Sequence, residues 1–349
     1  MVKLNAGTVA LLSLYLGLAV FAGQPEAASY GAPSGGKKED VRDTVKRVVA
    51  KAIGGNPGVG AALIRLVFHD CWVHGCDGSV LLDRKPYGSK VEKDAKNNIG
   101  LAGFDVIDNI KSQLGSPENV SCADLVVLAA REATFVLSRG KIDYAVRTGR
   151  MDGVVSSADD ADAILPPSTF DVTQLKDNFA KKGFNPAELA ALSGAHAVGV
   201  AHLSSFQDRL DNATATPIST DYQTALRKDV ESKKTPTVQD PIEPNNIRDM
   251  DGTFRNAAGY DTTGVDIAAK GVLDNSYYHA NLQNRQLFRS DWELRTDDVS
   301  GDAMATFEAN ATEWYKQFGS AMIKLSELPA VGSRFEIRKN CRVINPNKY

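Results

Sequence analysis

The sequence predicts a mainly α protein, on three observations. Apolar residues recur at helical spacing through most of the chain, while runs that alternate apolar and polar residues are few and short. With 349 residues, 43% hydrophobic and 24% charged, the chain has ample material for a large core and is too balanced to be disordered or fibrous, so one or two globular domains are expected. Residues 40–53 place Val41, Val45, Val48 and Val49 on one face, and Gly54, Gly55 and Pro57 then stop the helix. Residues 61–72 form a second amphipathic helix, and 122–139 is apolar on most sides, as a helix buried in a core would be. Further helices are expected at 172–182, 186–192, 199–210, 221–231, 276–284 and 303–325, with strands at 145–148 and 335–338. Polar loops at 153–167 and 233–263 are neither long nor uniform enough to mark a domain linker, and no internal repeat is present.

Forty Lys and Arg against 43 Asp and Glu give a formal net charge of -3, so no global basic field draws in nucleic acid, and no nucleic-acid partner is expected. Residues 1–28 have the form of a secretory signal: Lys3 supplies the charge, 9–22 is apolar apart from Ser13, Tyr15 and Gly17, and small residues follow. Cleavage after Ala22 and after Ser29 both fit. The apolar run is shorter than the ~20 residues of a spanning helix, so the mature chain is expected to be secreted and to have no membrane partner. Four cysteines in an exported chain are compatible with two disulfides, and their order alone allows three pairings. Sequons stand at Asn119, Asn212 and Asn310.

The densest chemistry lies between Arg65 and Ser79. Arg65 and His69 are four apart, which on a helix brings a guanidinium and an imidazole to one face. An imidazole can take and return a proton near neutral pH, and a fixed cation can steady negative charge developing on oxygen, a pairing suited to peroxide cleavage. Asp70, Asp77 and Ser79 add side-chain oxygens, and a tight Cys71/Cys76 loop containing Gly75 can aim backbone carbonyls at the same point. Such a hard-oxygen cage suits Ca²⁺; the EF-hand spacing is absent, and zinc would need a second close cysteine pair.

From about residue 40 to 345 the chain resembles the secretory plant haem peroxidases of the horseradish type. The resemblance rests on R-L-x-F-H-D-C-x-V-x-G-C-D-x-S at 65–79, E-K-D-A-x-x-N at 92–98, V-S-C-A-D at 120–124, L-P-P at 165–167, A-L-S-G-A-H at 191–196, L-D-N-S-Y-Y at 273–278, S-D-x-E-L at 290–294 and I-R-K-N-C at 337–341. It implies the plant haem-peroxidase fold, two helical domains sandwiching one haem b. The distal half would run over about 37–165, the proximal half over about 166–325, and segment 326–349 would be tied back by a disulfide. It also implies Arg65, Phe68, His69 and Asn98 as the distal catalytic set, Asn98 holding the other nitrogen of His69. His196 becomes the axial ligand of haem iron, and Asp291 the carboxylate that accepts its N–H. Asp70, Val73, Gly75, Asp77 and Ser79, with Glu92 through water, would hold a distal Ca²⁺. The carbonyl of Pro166 would orient a phenolic donor. Cysteines pair in the family as Cys71 with Cys76 and Cys122 with Cys341. The implied activity is H₂O₂-dependent one-electron oxidation of small phenolic donors by a monomer. An ascorbate-type enzyme and a wall-bound haem protein with little turnover are the alternatives.

The chain departs from that pattern in places. Ser116 and Leu203 stand where two further cysteines are usual. At the proximal calcium site Asp266, Val272 and Asp274 match, but Ala197 and Ala269 replace threonines, so a second Ca²⁺ is expected to be weak or absent. Val265 stands where relatives keep an aromatic near the proximal imidazole.

Overall fold

The structure, a computed structural model, describes residues 40–84, 88–232, 248–249 and 271–346. The signal segment, Val265, Asp266, Ala269 and most of the polar loop 233–263 lie outside the described residues. The first half of the chain builds a helical layer around one buried helix. In α1 (Val41–Gly55) the Asp40 carboxylate accepts from the Arg42 amide as an N-cap, and Val45, Val48, Val49 and Ile53 are buried. α2 (Gly58–His74) buries Leu63, Ile64, Leu66 and Val67, and α3 (Phe104–Gln113) buries Val106, Ile107 and Ile110. All three pack on α4 (Cys122–Leu137), which is buried almost all round and capped by the Ser121 hydroxyl. α5 (Ala158–Ile164), capped by Ser157, rests against the turns at 92–98.

The second half is organised around α7. α6 (Val172–Ala180) and α7 (Pro186–Ser193) both begin with reciprocal capping boxes, Asp171 with Gln174 and Asn185 with Glu188. α8 (Gln207–Asp211), α9 (Thr220–Ser232), α10 (Ser276–Leu282) and α11 (Arg289–Glu293) follow, then α12 (Asp298–Ala309) and α13 (Ala311–Ser326), and these last two pack on α7. Fully buried Trp314 donates its Nε1 to the Ala191 carbonyl at 3.1 Å, and Tyr278 donates its hydroxyl to Ala190 at 2.8 Å. A methyl group at Gly194 would lie 2.6 Å from the Trp314 indole, so the residue two before His196 must lack a side chain. Four two-residue strands among the described residues, β1 (Asp152–Gly153), β2 (Val200–Ala201), β3 (Arg248–Asp249) and β4 (Phe335–Glu336), form two antiparallel pairs, β1 with β4 and β2 with β3.

The mainly helical class is as the sequence predicts, but several boundaries differ. Residues 145–148 are extended without being a strand. Their alternation reflects Tyr144 and Val146 packed into the core, and the Val146 carbonyl accepts from Arg42 instead of a neighbouring strand. The helix expected over 199–210 is reduced to α8, because Gly199 has φ +93° and Val200–Ala201 pair with β3. The single helix expected over 303–325 is broken at Asn310 (φ -141°), whose side chain caps α13 by accepting from the Glu313 amide. The polar stretch 153–167 contains α5, and α3 was not anticipated from periodicity.

Disulfides join Cys71 to Cys76 and Cys122 to Cys341, the second across 219 positions, and no cysteine is free among the described residues. Replacing both Cys122 and Cys341 by Ser is expected to lower stability by ~2–5 kcal/mol, read by equilibrium denaturation of parent and variant. An unchanged midpoint would mean that the C-terminal segment is held by its other contacts alone.

Candidate active site

α2 brings Arg65, Phe68 and His69 to one wall, each half-buried. His69 Nδ1 lies 2.5 Å from Asn98 Oδ1, and Asn98 donates through Nδ2 to the Glu92 carbonyl at 2.7 Å. The second bond fixes which end of the amide faces His69. Oδ1 can only accept, so Nδ1 carries the proton and Nε2 keeps its lone pair. Arg65 Nε, 3.2 Å from His69 Nε2, donates to that lone pair, and its Nη2 is anchored on the Asn97 carbonyl at 2.9 Å. Burial and the Arg65 charge push the His69 pKa down to about 3, partly opposed by Asn98, while burial brings Arg65 to about 10. At neutral pH the pair is therefore a neutral base beside a permanent cation. Phe68 stacks on Trp72 with centroids 4.7 Å apart, and Trp72 Nε1 donates to Asn178, which in turn donates to the Ile164 carbonyl, two residues before Pro166.

Directly after His69 the chain turns into a knot of buried carboxylates. Asp70 Oδ2 accepts from the Gly78 amide and Asp77 Oδ1 from the Ser79 amide. Asp70 Oδ1, Ser79 Oγ and Glu92 Oε2 are buried with no hydrogen-bond partner. Burial pushes Asp70 and Glu92 well above the usual carboxylate range and Asp77 up, with the Asp77 charge adding to the rise at Asp70 and both charges to that at Glu92. Three orphaned oxygens, on Asp70, Ser79 and Glu92, beside the buried Asp77 carboxylate fit the hard-oxygen donors that Ca²⁺ prefers. Among the described residues no group of three or more His, Cys, Asp or Glu side chains converges closely enough to hold a metal by itself. The expected cage does not require one, since hydroxyl and carbonyl oxygens supply the rest. The Val73 carbonyl also accepts from Lys182 Nζ at 3.1 Å.

The facing wall is the 3₁₀ turn Gly194–Ala197 at the end of α7. Gly199 lies against Ala61, one turn before Arg65, and Gly100 against His202, so the chain leaving His196 closes on the wall that carries Arg65 and His69. His196 Nδ1 is 2.8 Å from Asp291 Oδ1, its imidazole is 39% exposed, and its Nε2 has no protein partner. A carboxylate-held imidazole with an open Nε2, on a chain that packs toward the wall carrying a neutral His and an Arg, fits a ligand of haem iron. At the expected proximal calcium set Ala197 and Asp274 are buried and Val272 half-buried, with Asp274 Oδ1 accepting from the Ser276 amide. Asp266 and Ala269, the other two members, are outside the described residues.

Several participants escaped the sequence reading. The Asn97 and Ile99 carbonyls hold Arg65. Ser156 accepts from the Glu92 amide, and the buried guanidinium of Arg338 donates to the Gly78 carbonyl. Phe288 sets its edge against the His196 ring at 5.2 Å. Tyr277 donates to Asp291 Oδ1 at 3.0 Å, and burial with the Asp291 charge pushes its phenol well above the usual tyrosine range, so it remains a donor. Backbone partners carry no sequence signal, and Tyr277 has the spacing of an ordinary core residue.

A neutral imidazole beside a guanidinium is a pairing suited to work on a hydroperoxide. Comparison with known proteins agrees: the family model described as Peroxidase matches residues 41–310. The chain is 38% identical over 306 residues to Peroxidase 2 of Zea mays, covering 86% of this chain and 84% of that protein. It is equally 38% identical to Peroxidase 5 of Vitis vinifera (86% and 87% covered) and to Peroxidase 64 of Arabidopsis thaliana (85% and 87%). The chain belongs to the peroxidase family. It is a haem peroxidase that oxidises small-molecule donors with H₂O₂, and haem and calcium are the cofactors of that family.

Gly153 donates its amide to the Asp77 carbonyl at 2.8 Å, and a methyl group there would sit 2.1 Å from Asp77 Oδ2. Gly153→Ala is expected to displace the Asp77 carboxylate and cost ~1–3 kcal/mol, measured by denaturant unfolding. A variant as stable as the parent would mean that the Asp77 loop yields freely.

Proposed function

We propose that the enzyme performs one-electron oxidation of phenolic donors, with haem b held by His196 and with Arg65, Phe68, His69 and Asn98 as the distal set. The observation that carries this reading is the orientation of Asn98, which presents His69 Nε2 unprotonated toward the cleft. Bound haem would supply the iron at which the O–O bond breaks and would store the two oxidising equivalents taken from H₂O₂ until donors consume them. His69 Nε2 takes the proton of the hydroperoxide and returns it to the departing oxygen, which leaves as water. Arg65, held at its guanidinium by two backbone carbonyls, steadies the negative charge that develops on that oxygen without having to reorganise. Peroxide must replace the Arg65 donor at Nε2, trading a charge-assisted hydrogen bond for one from an O–H while the Arg65 Nη atoms stay on their carbonyls. Asp291 draws on the His196 N–H and so gives the ligand imidazolate character. The Pro166 carbonyl, beside the Asn178-tethered end of α5, orients the donor hydroxyl.

The proposal extends to the distal calcium held by Asp70, Val73, Gly75, Asp77 and Ser79, with Glu92 through water. It also takes in the division into a distal half over about 37–165, a proximal half over about 166–325 and a tied-back segment 326–349. Secretion is supported by the N-terminal signal and by the two disulfides. No helix among the described residues is long and apolar enough to cross a membrane.

His69→Ala should keep haem but slow the reaction with H₂O₂ by ~10² to 10⁴, whereas His196→Ala should lose or misligate haem. In the parent, protonation of His69 removes the base, so the rate should fall only as the pH drops toward about 3, not near the ordinary 6.5. Stopped-flow Soret changes measure both, and identical spectra and rates in the two variants would exclude this assignment of sides.

Extensively dialysed holoenzyme should retain one calcium per haem by metal analysis, because the distal donors are complete while Ala197 and Ala269 supply no hydroxyl. Two retained ions would mean that carbonyls and water suffice at the proximal site.

A further inference from the structure

Asp291 serves two donors through one oxygen. Its Oδ1 accepts from His196 Nδ1 at 2.8 Å and from the Tyr277 hydroxyl at 3.0 Å, while Oδ2 is buried without a partner. The carboxylate is 2% exposed and Tyr277 4%, so no solvent shares the charge. Tyr277 is itself fixed. Asn281, one turn along α10, donates to the Asp291 carbonyl at 2.7 Å and reaches the Tyr277 oxygen at 3.4 Å. Arg295 clamps Asn281 through both its carbonyl and its side-chain oxygen. The Tyr277 ring meets the His196 ring edge-on, with centroids 6.2 Å apart.

We infer that Tyr277 is a positioning residue that sets how much of the Asp291 charge reaches His196, tempering the imidazolate character of the ligand and so the electron density delivered to iron. The inference rests on the reading of His196 as the iron ligand. Its physical basis is competition: in a buried, low-dielectric site, a second donor on the same oxygen withdraws charge from the first bond. Without the phenol, Oδ1 would be the stronger base and would pull the Nδ1 proton further toward itself. Placing both donors on one oxygen, with the other oxygen unused, makes the competition direct.

The test uses haem-loaded enzyme and two readouts of the ligand bond: the iron–histidine stretching frequency of the ferrous state by resonance Raman, and the ferric/ferrous midpoint potential. Tyr277→Phe should raise the stretching frequency and make the potential more negative. Difluorotyrosine at 277, a stronger donor that keeps ring and hydroxyl, should move both the opposite way and carries the test if the Phe variant fails to take up haem. Asp291→Asn should lower the frequency and thereby checks the underlying reading. A shift with Asp291→Asn, but none or a same-direction shift with the two Tyr277 replacements, would leave Tyr277 as packing alone and overturn the inference. No shift with Asp291→Asn would overturn the ligand reading and the inference with it.

Discussion

The Asn98 side chain accepts from His69 and donates to the Glu92 carbonyl, and through those two bonds the orientation of the base depends on a loop 23 residues further along the chain. The loop is in turn held from outside. α5 supplies Asp162 to the Asn97 amide, Ser156 accepts from the Glu92 amide, and Ala158 donates to the Lys90 carbonyl. Arg65 leans on the same turn through the Asn97 and Ile99 carbonyls, so one short stretch positions both His69 and the cation beside it. Glu92 joins this stretch to the buried acids that follow His69, because its side chain belongs to their cluster while its carbonyl holds Asn98.

The facing wall is built on a different logic. His196 sits on a short 3₁₀ turn that has few internal bonds of its own, and its position is set by neighbours. Trp314 and Tyr278 tie the preceding helix by its Ala191 and Ala190 carbonyls, and the indole occupies the space that a side chain at Gly194 would need. Asp291 arrives on α11, whose entry is anchored by the Ser290 amide on the Ser168 carbonyl. Arg209, fully buried, collects the carbonyls of Thr216, Pro217, Gln286 and Leu287 just ahead of it. Trp314 on α13, Tyr278 on α10, Asp291 on α11 and Arg209 on α8 all build this side, so packing and not local propensity decides its geometry.

That difference explains what could be read from sequence. Arg65 and His69 were legible because helical spacing puts them on one face, and Phe68 because the dense motif around them resembles that of a known family. The helix α4 was legible because its burial leaves a continuous apolar run. α5 was not: Ala158–Ile164 contains three aspartates, and its role is to hold a loop through backbone and carboxylate contacts that no hydrophobic pattern records. The expected strand at 145–148 misled because alternation reports which side chains are buried, and Tyr144 and Val146 are buried in the hydrophobic core without a neighbouring strand among the described residues. The helix expected over 303–325 ran through Asn310 because a capping asparagine between two apolar helices interrupts direction without interrupting composition. Tyr277 was visible only as part of a motif, since its hydroxyl partner lies 14 positions away.

The last stretch of chain closes over the part of the fold made first. Leu328 accepts from the Cys76 amide, Val331 donates to His74, Arg342 accepts from the Asp83 amide, and Arg338 reaches both Asp152 and the Gly78 carbonyl. The loop after His69 is thus laced on one side by residues more than 240 positions downstream. During synthesis this loop must wait, exposed and with its acids unshielded by Arg338, until that downstream segment has emerged. The order of events follows from connectivity: the helices around α4 can assemble early, but the loop beside His69 is completed only once the segment carrying Arg338 has joined it.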